Sequence, residues 1–375
     1  MSIQKKHVKI VFCHLLDNYT GAPRVLSDLI RTVISQGIHC KLYLGGKSEG
    51  VLGNDNILPT VRYYYQRPNN AVLRFCSYLF SQISLFKHLV LDSDIDKSTI
   101  IYVNAVMPFG AGLYGFLNGN KVVYHIHEMK FSPRFLSSFL FLVSDLVSSL
   151  NIYVSDYQQY KLNVKRKSSV VLKNAISSEI YSAALKHNYS YRISGVFQVL
   201  MLSSAREYKG IYEYIKICNA MLSRNDIQFS LVLSETEFVT LDFLKDTEIP
   251  NNLTIYPKTD VPEVYYRKSN LVLNLSIPDS WVETFGLTLI EAMSFGIPVI
   301  APPVGGPCEI LKEGKGGFLI DSRKTVEVVS RIIGFADDEE LCVKYSTDAR
   351  IISQEYTLQK FSESLDLIIR QHMVL

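Results

Sequence analysis

Short runs of apolar residues along this chain alternate with longer stretches in which apolar positions recur every three or four residues. Val8-Lys-Ile-Val-Phe-Cys-His14 is almost continuously apolar and reads as a buried strand. A polar loop with Asn18, Thr20 and Gly21 follows, then a helical run over 23–35 with proline in its first turn. Similar runs predict strands at 39–44, 60–64, 99–104, 121–126, 150–154 and 169–173, with helices at 70–90, 133–148 and 156–164. The pattern then restarts with a strand at 197–203 and a helix at 210–222. Further strands are expected at 228–233, 253–256, 271–275, 297–301 and 317–320. Strands alternating with helices predict parallel sheets covered on both faces. The expected fold class is α/β, with two doubly wound domains facing across a cleft at the carboxyl ends of their strands. The boundaries read as 1–176 for the first domain and 195–355 for the second. Between them, 177–194 is polar, rich in Tyr and Ser and poorly periodic, which predicts a linker. A charged amphipathic helix in 356–375 is expected to pack back toward the first domain.

Composition adds limits to this picture. With 375 residues, 47% hydrophobic and 20% charged, the chain can build two ordinary cores and is not of the disordered class. Its six cysteines are scattered, without a CxxC pair or a Cys/His cluster, which suits a reducing compartment and argues against structural zinc. The N-terminal residues carry no signal-peptide pattern, and no window reaches the ~20 uninterrupted apolar residues of a spanning helix. A cytoplasmic location, with contact to the inner face of the membrane, is expected. The nearest approach to a span is 131–150, broken by Arg134, Asp145 and several serines. It reads as a largely buried helix, or as one that also grazes a bilayer.

Charge is divided unevenly. Residues 1–176 hold 20 Lys and Arg against 10 Asp and Glu, whereas the remainder holds 19 against 26. The first half should therefore meet something anionic: an acidic membrane surface or a pyrophosphate-linked acceptor, unless it is simply a solvated basic face. Nucleic acid is not expected, because the basic run Lys161, Lys165, Arg166, Lys167, Lys173 is not interleaved with stacking aromatics.

The stretch richest in chemistry is Trp281-Val-Glu-Thr-Phe-Gly-Leu-Thr-Leu-Ile-Glu-Ala-Met-Ser-Phe-Gly-Ile-Pro-Val-Ile-Ala301. Thr284 suits an N-cap, Gly286 permits close backbone approach, and 287–295 holds good helix formers. Gly296 and Pro298 end that helix before a buried strand. The free amides and positive dipole end of such a helix suit a diphosphate. Glu283 and Glu291 are eight residues apart, about 12 Å along a helix at ~1.5 Å per residue. That is roughly the span from a ribose across a pyrophosphate to an attached sugar. Spacing alone leaves open that Glu291 is a solvated helix residue and that Glu283 only complements the dipole.

The segment "ETFGLTLIEAMSFGIPVIAPPVGGPCEIL", with Gly316-Gly-Phe-Leu-Ile320 after it and Ser269-Asn-Leu-Val-Leu-Asn-Leu-Ser276 before it, closely resembles the donor-binding core of the family 4 retaining glycosyltransferases. That family has the GT-B fold of two Rossmann-like domains and includes enzymes of bacterial surface-polysaccharide synthesis. The resemblance implies that Glu283 contacts the donor sugar near its anomeric carbon and that Glu291 binds ribose. It implies phosphate at the backbone of Phe285, Gly286, Leu287 and Thr288. Ser203-Ser-Ala-Arg-Glu-Tyr-Lys-Gly-Ile211 is similar to the family's phosphate clamp, with Arg206 and Lys209 as its cations.

Thr20-Gly21-Ala22-Pro23-Arg24 stands where the family has a glycine loop, with Ala22 in place of the second glycine. Val122-Val-Tyr-His-Ile-His-Glu-Met129 ends a strand where the family has a histidine near the donor sugar, which assigns a catalytic place to His127. Glu128 is its neighbour, and His125 reads as structural. The nucleotide base is expected near Tyr256-Pro-Lys-Thr-Asp-Val261, although Ser234-Glu-Thr-Glu237 departs from the family's usual turn.

The implied activity is a metal-independent, retaining transfer of a hexose from a nucleotide-diphosphate sugar to an acceptor hydroxyl. No cofactor or metal is expected, and Asp92-Ser-Asp94 reads as a turn. The acceptor is expected to be a saccharide or a lipid-linked oligosaccharide of O-antigen, capsule or exopolysaccharide synthesis. Two alternatives are a GT-B nucleotide-sugar epimerase and a non-catalytic, sugar-nucleotide-binding partner of a transferase.

Overall fold

The computed structural model describes residues 9–47, 50–53, 58–129, 131–162, 168–311 and 314–373. The chain divides into two compact units, Met1–Lys173 with Phe361–Leu375, and Asn174–Lys360. The first unit contains β1 (Lys9–His14), β2 (His39–Gly45), β3 (Thr60–Tyr63), β4 (Ile100–Asn104), β5 (Lys121–Ile126), β6 (Leu150–Tyr153) and β7 (Ser169–Val171). These pair in parallel in the order β3-β2-β1-β4-β5-β6-β7. The chain thus winds outward from β1, returns to the middle at β4 and winds outward the other way. Loops leaving the carboxyl ends of β1 and β4 diverge, which opens a crevice at that edge. Residues 10–14 and 100–104 are buried along their whole length, as helix-covered parallel strands must be.

The second unit repeats the plan. It contains β8 (Phe197–Ser203), β9 (Ile227–Leu233), β10 (Leu253–Tyr256), β11 (Leu271–Leu273), β12 (Val299–Ala301) and β13 (Gly317–Leu319). All pairings are parallel, in the order β10-β9-β8-β11-β12-β13. The reversal here falls between β8 and β11. Its core is a cluster including Phe197, Val199, Met201, Leu231, Leu271 and Ile300. Both units are Rossmann-like, as the alternation of elements predicts.

The stretch expected as a linker is largely structured. Ser178–Leu185 is a helix that buries Ile180, Ala183 and Ala184, and the Ser177 hydroxyl accepts from the Ile180 amide at 3.3 Å. Its tyrosines then anchor the chain to the second unit: Tyr189 donates to Asn270 O at 3.0 Å and Tyr191 to Ala336 O. A polar composition concealed this because the tyrosine hydroxyls satisfy backbone carbonyls while their rings pack on the core. At the end of the chain, the helix Leu358–Ile368 runs into a wider turn, Ile369–Met373. It buries Phe361, Leu365, Ile368, Ile369 and Met373, an amphipathic spacing. No helix among the described residues is long and apolar enough to cross a membrane. Lys165, Arg166 and Lys167 of the basic run lie outside the described residues.

Candidate active site

In the second unit, chemistry collects at the carboxyl ends of the two central strands. After β8 the chain makes a single tight turn, Glu207–Lys209, ending at Gly210 with φ 79°. A Cβ at Gly210 would stand 2.0 Å from Leu275 O, so only glycine lets this turn lie on the segment leaving β11. Ile277 N donates to Tyr208 O at 2.9 Å and closes the contact. Lys209 is thereby aimed at Glu283, with Nζ donating to Oε2 at 2.7 Å. Ser276 Oγ donates to the same oxygen at 3.2 Å. The ring of Trp281 lies 5.0 Å from Lys209 Nζ and stacks on Tyr208 at 4.8 Å. Burial alone would raise the Glu283 carboxyl. The charge of Lys209, with hydrogen bonds from Lys209, Ser276 and Asn274, outweighs it and holds the group below the ordinary carboxylate range. Both side chains keep 18% exposure, so the pair is shielded yet reachable.

The helix after Glu283 is Leu287–Ser294, and its cap position is Gly286 at φ 114°, not Thr284. The left-handed turn at Gly286 breaks the helical path, so Glu283 precedes the helix and the 12 Å helical projection does not apply to the pair. The amides of Leu287 and Thr288 open the helix and have no intrahelical carbonyl to meet. Glu291 is not a solvated helix residue: it is 6% exposed, and Tyr266 donates to its Oε2 at 2.7 Å. Phe285 is buried and meets Tyr356 edge-on at 5.6 Å.

The loop after β12 packs directly on this segment. Gly306 N donates to Glu283 O at 2.9 Å. Cβ atoms at Gly305 and Gly306 would stand 2.2 Å from Glu283 O and 2.3 Å from Phe285 O. The glycine loop therefore sets the backbone of Glu283.

Arg206 stands apart from this cluster. It is exposed and its Nη1 donates to Ala205 O at 3.2 Å. The Ser234–Glu237 turn is built into the same edge, with Glu235 Oε2 accepting from Ala205 N at 2.8 Å and Glu235 O from Lys258 N at 2.8 Å. The region around 256–261 is thus tied to the loop after β8.

In the first unit, His127 lies just past β5. His125 and His127 are two residues apart on an extended chain, share a face, and bring their rings to 4.2 Å. His127 Nε2 meets Asn104 Oδ1 at 2.8 Å, so this nitrogen carries the proton and Nδ1 is left as acceptor. Asn104 Nδ2 donates to His14 Nδ1 at 3.1 Å and to Ala22 O at 3.4 Å. His14 Nε2 donates to Leu16 O at 3.0 Å. This His127–Asn104–His14 chain joins the ends of β5, β4 and β1 and reaches the start of the helix Gly21–Ser35, whose first residue is Gly21. Burial, then the neighbouring His125 and His14, depress His127 well below the ordinary imidazole range, so the ring is neutral. His125, pushed down to about 3 by burial, is held by Tyr102 at 2.9 Å, as a structural histidine would be.

Glu128 is pushed up to about 7 by burial, against backbone hydrogen bonds from its own amide, His127 and Val106. Its folded pKa exceeds the unfolded value, so the folded state binds the proton more tightly and stability falls as pH rises from about 4.5 to 7. Glu128→Gln is therefore expected to stabilise the protein by about 1–3 kcal/mol at pH 8, a gain that fades below pH 5. Urea denaturation at the two pH values measures it, and equal midpoint changes at both would refute it.

Asn104, His14, Trp281, Tyr208, Ser276 and Tyr266 enter these clusters without having been singled out from the sequence. For Asn104 and His14 a signal existed: each is the polar last residue of a strand, directly after a run of buried hydrophobic positions. Asp92 is an ion-pair partner, accepting from Lys41 at 2.6 Å and from Tyr43. Among the described residues, no group of three or more His, Cys, Asp or Glu could hold a metal ion.

Comparison with known proteins bears on the fold. Anabaena HepE in complex with UDP-glucose superposes over 97% of this chain and 100% of its own, with a TM-score of 0.76 at 20% identity. The chain thus has the GT-B fold. Residues 190–351 match the family model described as "Glycosyl transferases group 1". N-acetyl-alpha-D-glucosaminyl L-malate synthase of Bacillus anthracis is 28% identical over 204 residues, 53% of this chain. That match spans about half of the relative's length (52%). An uncharacterized glycosyltransferase of Haemophilus influenzae is 23% identical over 76% of this chain and 79% of its own.

Proposed function

We propose that this chain is a retaining glycosyltransferase that moves a hexose from a nucleotide-diphosphate sugar to an acceptor hydroxyl. The observation that carries the reading is the Lys209–Glu283 contact at 2.7 Å, joined by Ser276 beside a helix N-terminus. In this reading the amides of Phe285, Gly286, Leu287 and Thr288 receive the diphosphate and Glu291 holds ribose hydroxyls. Lys209 touches both Glu283 and the leaving phosphate, and Arg206 adds charge from the solvent side. Glu283, kept ionised by Lys209, positions the sugar and supports oxocarbenium-like charge. The acceptor hydroxyl attacks the face from which the diphosphate departs, which retains configuration. His127, neutral and fixed by Asn104, is a hydrogen-bonding group for the sugar, and the Gly21 loop supplies amides to the phosphate or acceptor. Lysine and helix amides take the role that a divalent metal plays elsewhere.

The acceptor is a saccharide, most consistently one linked to lipid at the inner membrane face, because the basic half of the chain suits an anionic carrier. Bacterial surface-polysaccharide synthesis is the setting this implies. A thermal-shift panel of UDP, GDP, ADP and TDP sugars, with and without divalent metal, tests the donor assignment. One sugar nucleotide should raise Tm by several degrees, and Lys209→Ala should abolish the shift. No shift with any donor would refute the reading. Donor binding without transfer or hydrolysis would favour a non-catalytic role instead.

A further inference from the structure

Two helices of the first unit carry apolar residues on their outer as well as their inner faces. Ala71–Val90 buries Tyr78, Leu85 and Leu89 together with Ser77, Ser81 and Gln82, while Phe80 and Ile83 are 62% and 65% exposed. Its inward polar groups are satisfied: Ser77 donates to Gln66 O at 2.7 Å, Ser81 to Tyr78 O at 2.6 Å, and Gln82 accepts from Gly110 N at 3.1 Å. Arg134–Val147 does the same, burying Leu140, Phe141, Val143 and Val147 together with Ser137 and Ser144 while leaving Phe135 67% and Leu146 62% exposed. Phe75 meets Phe135 edge-on at 6.3 Å, which joins the two helices, and Phe139 meets Phe109, the first residue of the helix Phe109–Asn118, at 5.4 Å. Scattered exposed apolar residues need no explanation, but a joined apolar face on helices that already bury a full inner face does.

The charge around this face is one-sided. Across Ala71–Val90, Phe109–Asn118 and Arg134–Val147, Asp145 is the single acidic residue, against Arg74, Lys87, His88 and Arg134. Lys87 and Arg134 are exposed. An apolar face with a basic border complements a bilayer of acidic lipids: the side chains enter the acyl boundary while the cations meet headgroups. In a βα unit the carboxyl end of a strand leads into the amino end of the next helix. Val72, Leu73 and Phe135, in the first turns of their helices, therefore lie at the same edge of the sheet as His14, Asn104 and His127.

We propose that this face, centred on Phe80, Ile83, Phe135, Phe139 and Leu146, docks the protein on an anionic lipid surface. The pairing of that surface with a lipid-linked acceptor rests on the function proposed above, whereas the docking itself does not.

The full chain is incubated at low salt with vesicles of phosphatidylcholine alone or mixed equally with phosphatidylglycerol, then sedimented. Sedimentation with the mixed vesicles, and little with phosphatidylcholine, is expected. Phe80→Ser with Ile83→Ser should weaken binding about tenfold per side chain, the change that corresponds to about 1.4 kcal/mol each. Lys87→Glu with Arg134→Glu should abolish the preference for the acidic lipid at unchanged Tm, which guards against loss through misfolding. No sedimentation with either vesicle, or binding indifferent to both double variants, overturns the proposal. So does a solution dimer that the Phe80→Ser, Ile83→Ser variant dissociates in the absence of vesicle binding, because the face would then cover a second copy. The donor-induced Tm shift is read without vesicles, so failure of the donor assignment is separable from failure of docking.

Discussion

Glu283→Gln is expected to lower the rate of glycosyl transfer by about 100–1,000-fold, the scale of removing one preorganised charge from a site that stabilises a developing charge. The substitution keeps the shape and one acceptor oxygen but removes the negative charge that Lys209 and Ser276 hold in place. Initial rates with a saturating donor measure it, and turnover within a few-fold of wild type would refute the role assigned to Glu283. Lys209→Ala probes the same contact from the other side and has a signature in stability. In the wild type the folded carboxyl of Glu283 lies below its ordinary value. Its contribution is therefore present above the unfolded carboxylate pKa and is lost as pH falls through the folded value. Without Lys209 the burial and the hydrogen bonds from Ser276 and Asn274 remain while the counter-charge is gone, so the folded pKa rises. The variant should therefore lose less stability than the wild type as pH falls through the carboxylate range. Parallel pH profiles of Tm for wild type and variant would show that the two groups are not coupled.

Substitutions in the glycine loop should have the largest effect on folding. Gly306→Ala would place a Cβ 2.3 Å from Phe285 O and 2.4 Å from Phe285 Cα, contacts that only backbone movement can relieve. Gly305→Ala adds φ 83° to a 2.2 Å approach to Glu283 O. Each is expected to cost about 3 kcal/mol or more, the scale of overpacking combined with backbone strain. Gly195→Ala is the comparison, since φ there is 81° with nothing within 4 Å of the added atom. Strain alone should cost about 1–2 kcal/mol. Urea denaturation of the three variants separates the two contributions. Gly306→Ala no more damaging than Gly195→Ala would mean that the loop does not brace Glu283. Because Gly306 N donates to Glu283 O, any Gly306→Ala protein that still folds should also lose donor affinity.

Local pattern carried most of the architecture. Strand and helix periodicities depend on neighbours within a few residues, which is why the expected strands fall within a few residues of β1 to β13 and why the restart after residue 195 marks a second sheet. The same locality explains the misreadings. Thr284 has the chemistry of an N-cap, but the left-handed turn at Gly286 starts the helix later. Residues 177–194 look like a linker by composition, yet Tyr189 and Tyr191 fasten them to strands and helices far along the chain. Arg206 and Lys209 stand three residues apart in one loop, and only Lys209 is turned toward Glu283.

By itself, then, the sequence determined the order of elements, the two parallel sheets, and the glutamates, lysine and histidine that carry candidate chemistry. The elements and sheets follow from residue type and short-range period, whereas the candidate residues follow from the resemblance of their motifs to the family 4 glycosyltransferases. The tertiary structure alone decided which of those groups meet. Lys209 and Glu283 are 74 residues apart, and His14 and Asn104 are 90 apart. Each pair is joined because parallel strands bring their carboxyl ends to one edge, a consequence of sheet order that no local pattern contains. It also decided that Glu291 is buried under Tyr266, and that two helices leave apolar residues such as Phe80 and Phe135 exposed beside their buried inner faces. Hydrophobic period tells that a helix has two faces. Which face is covered depends on what the rest of the chain places against it.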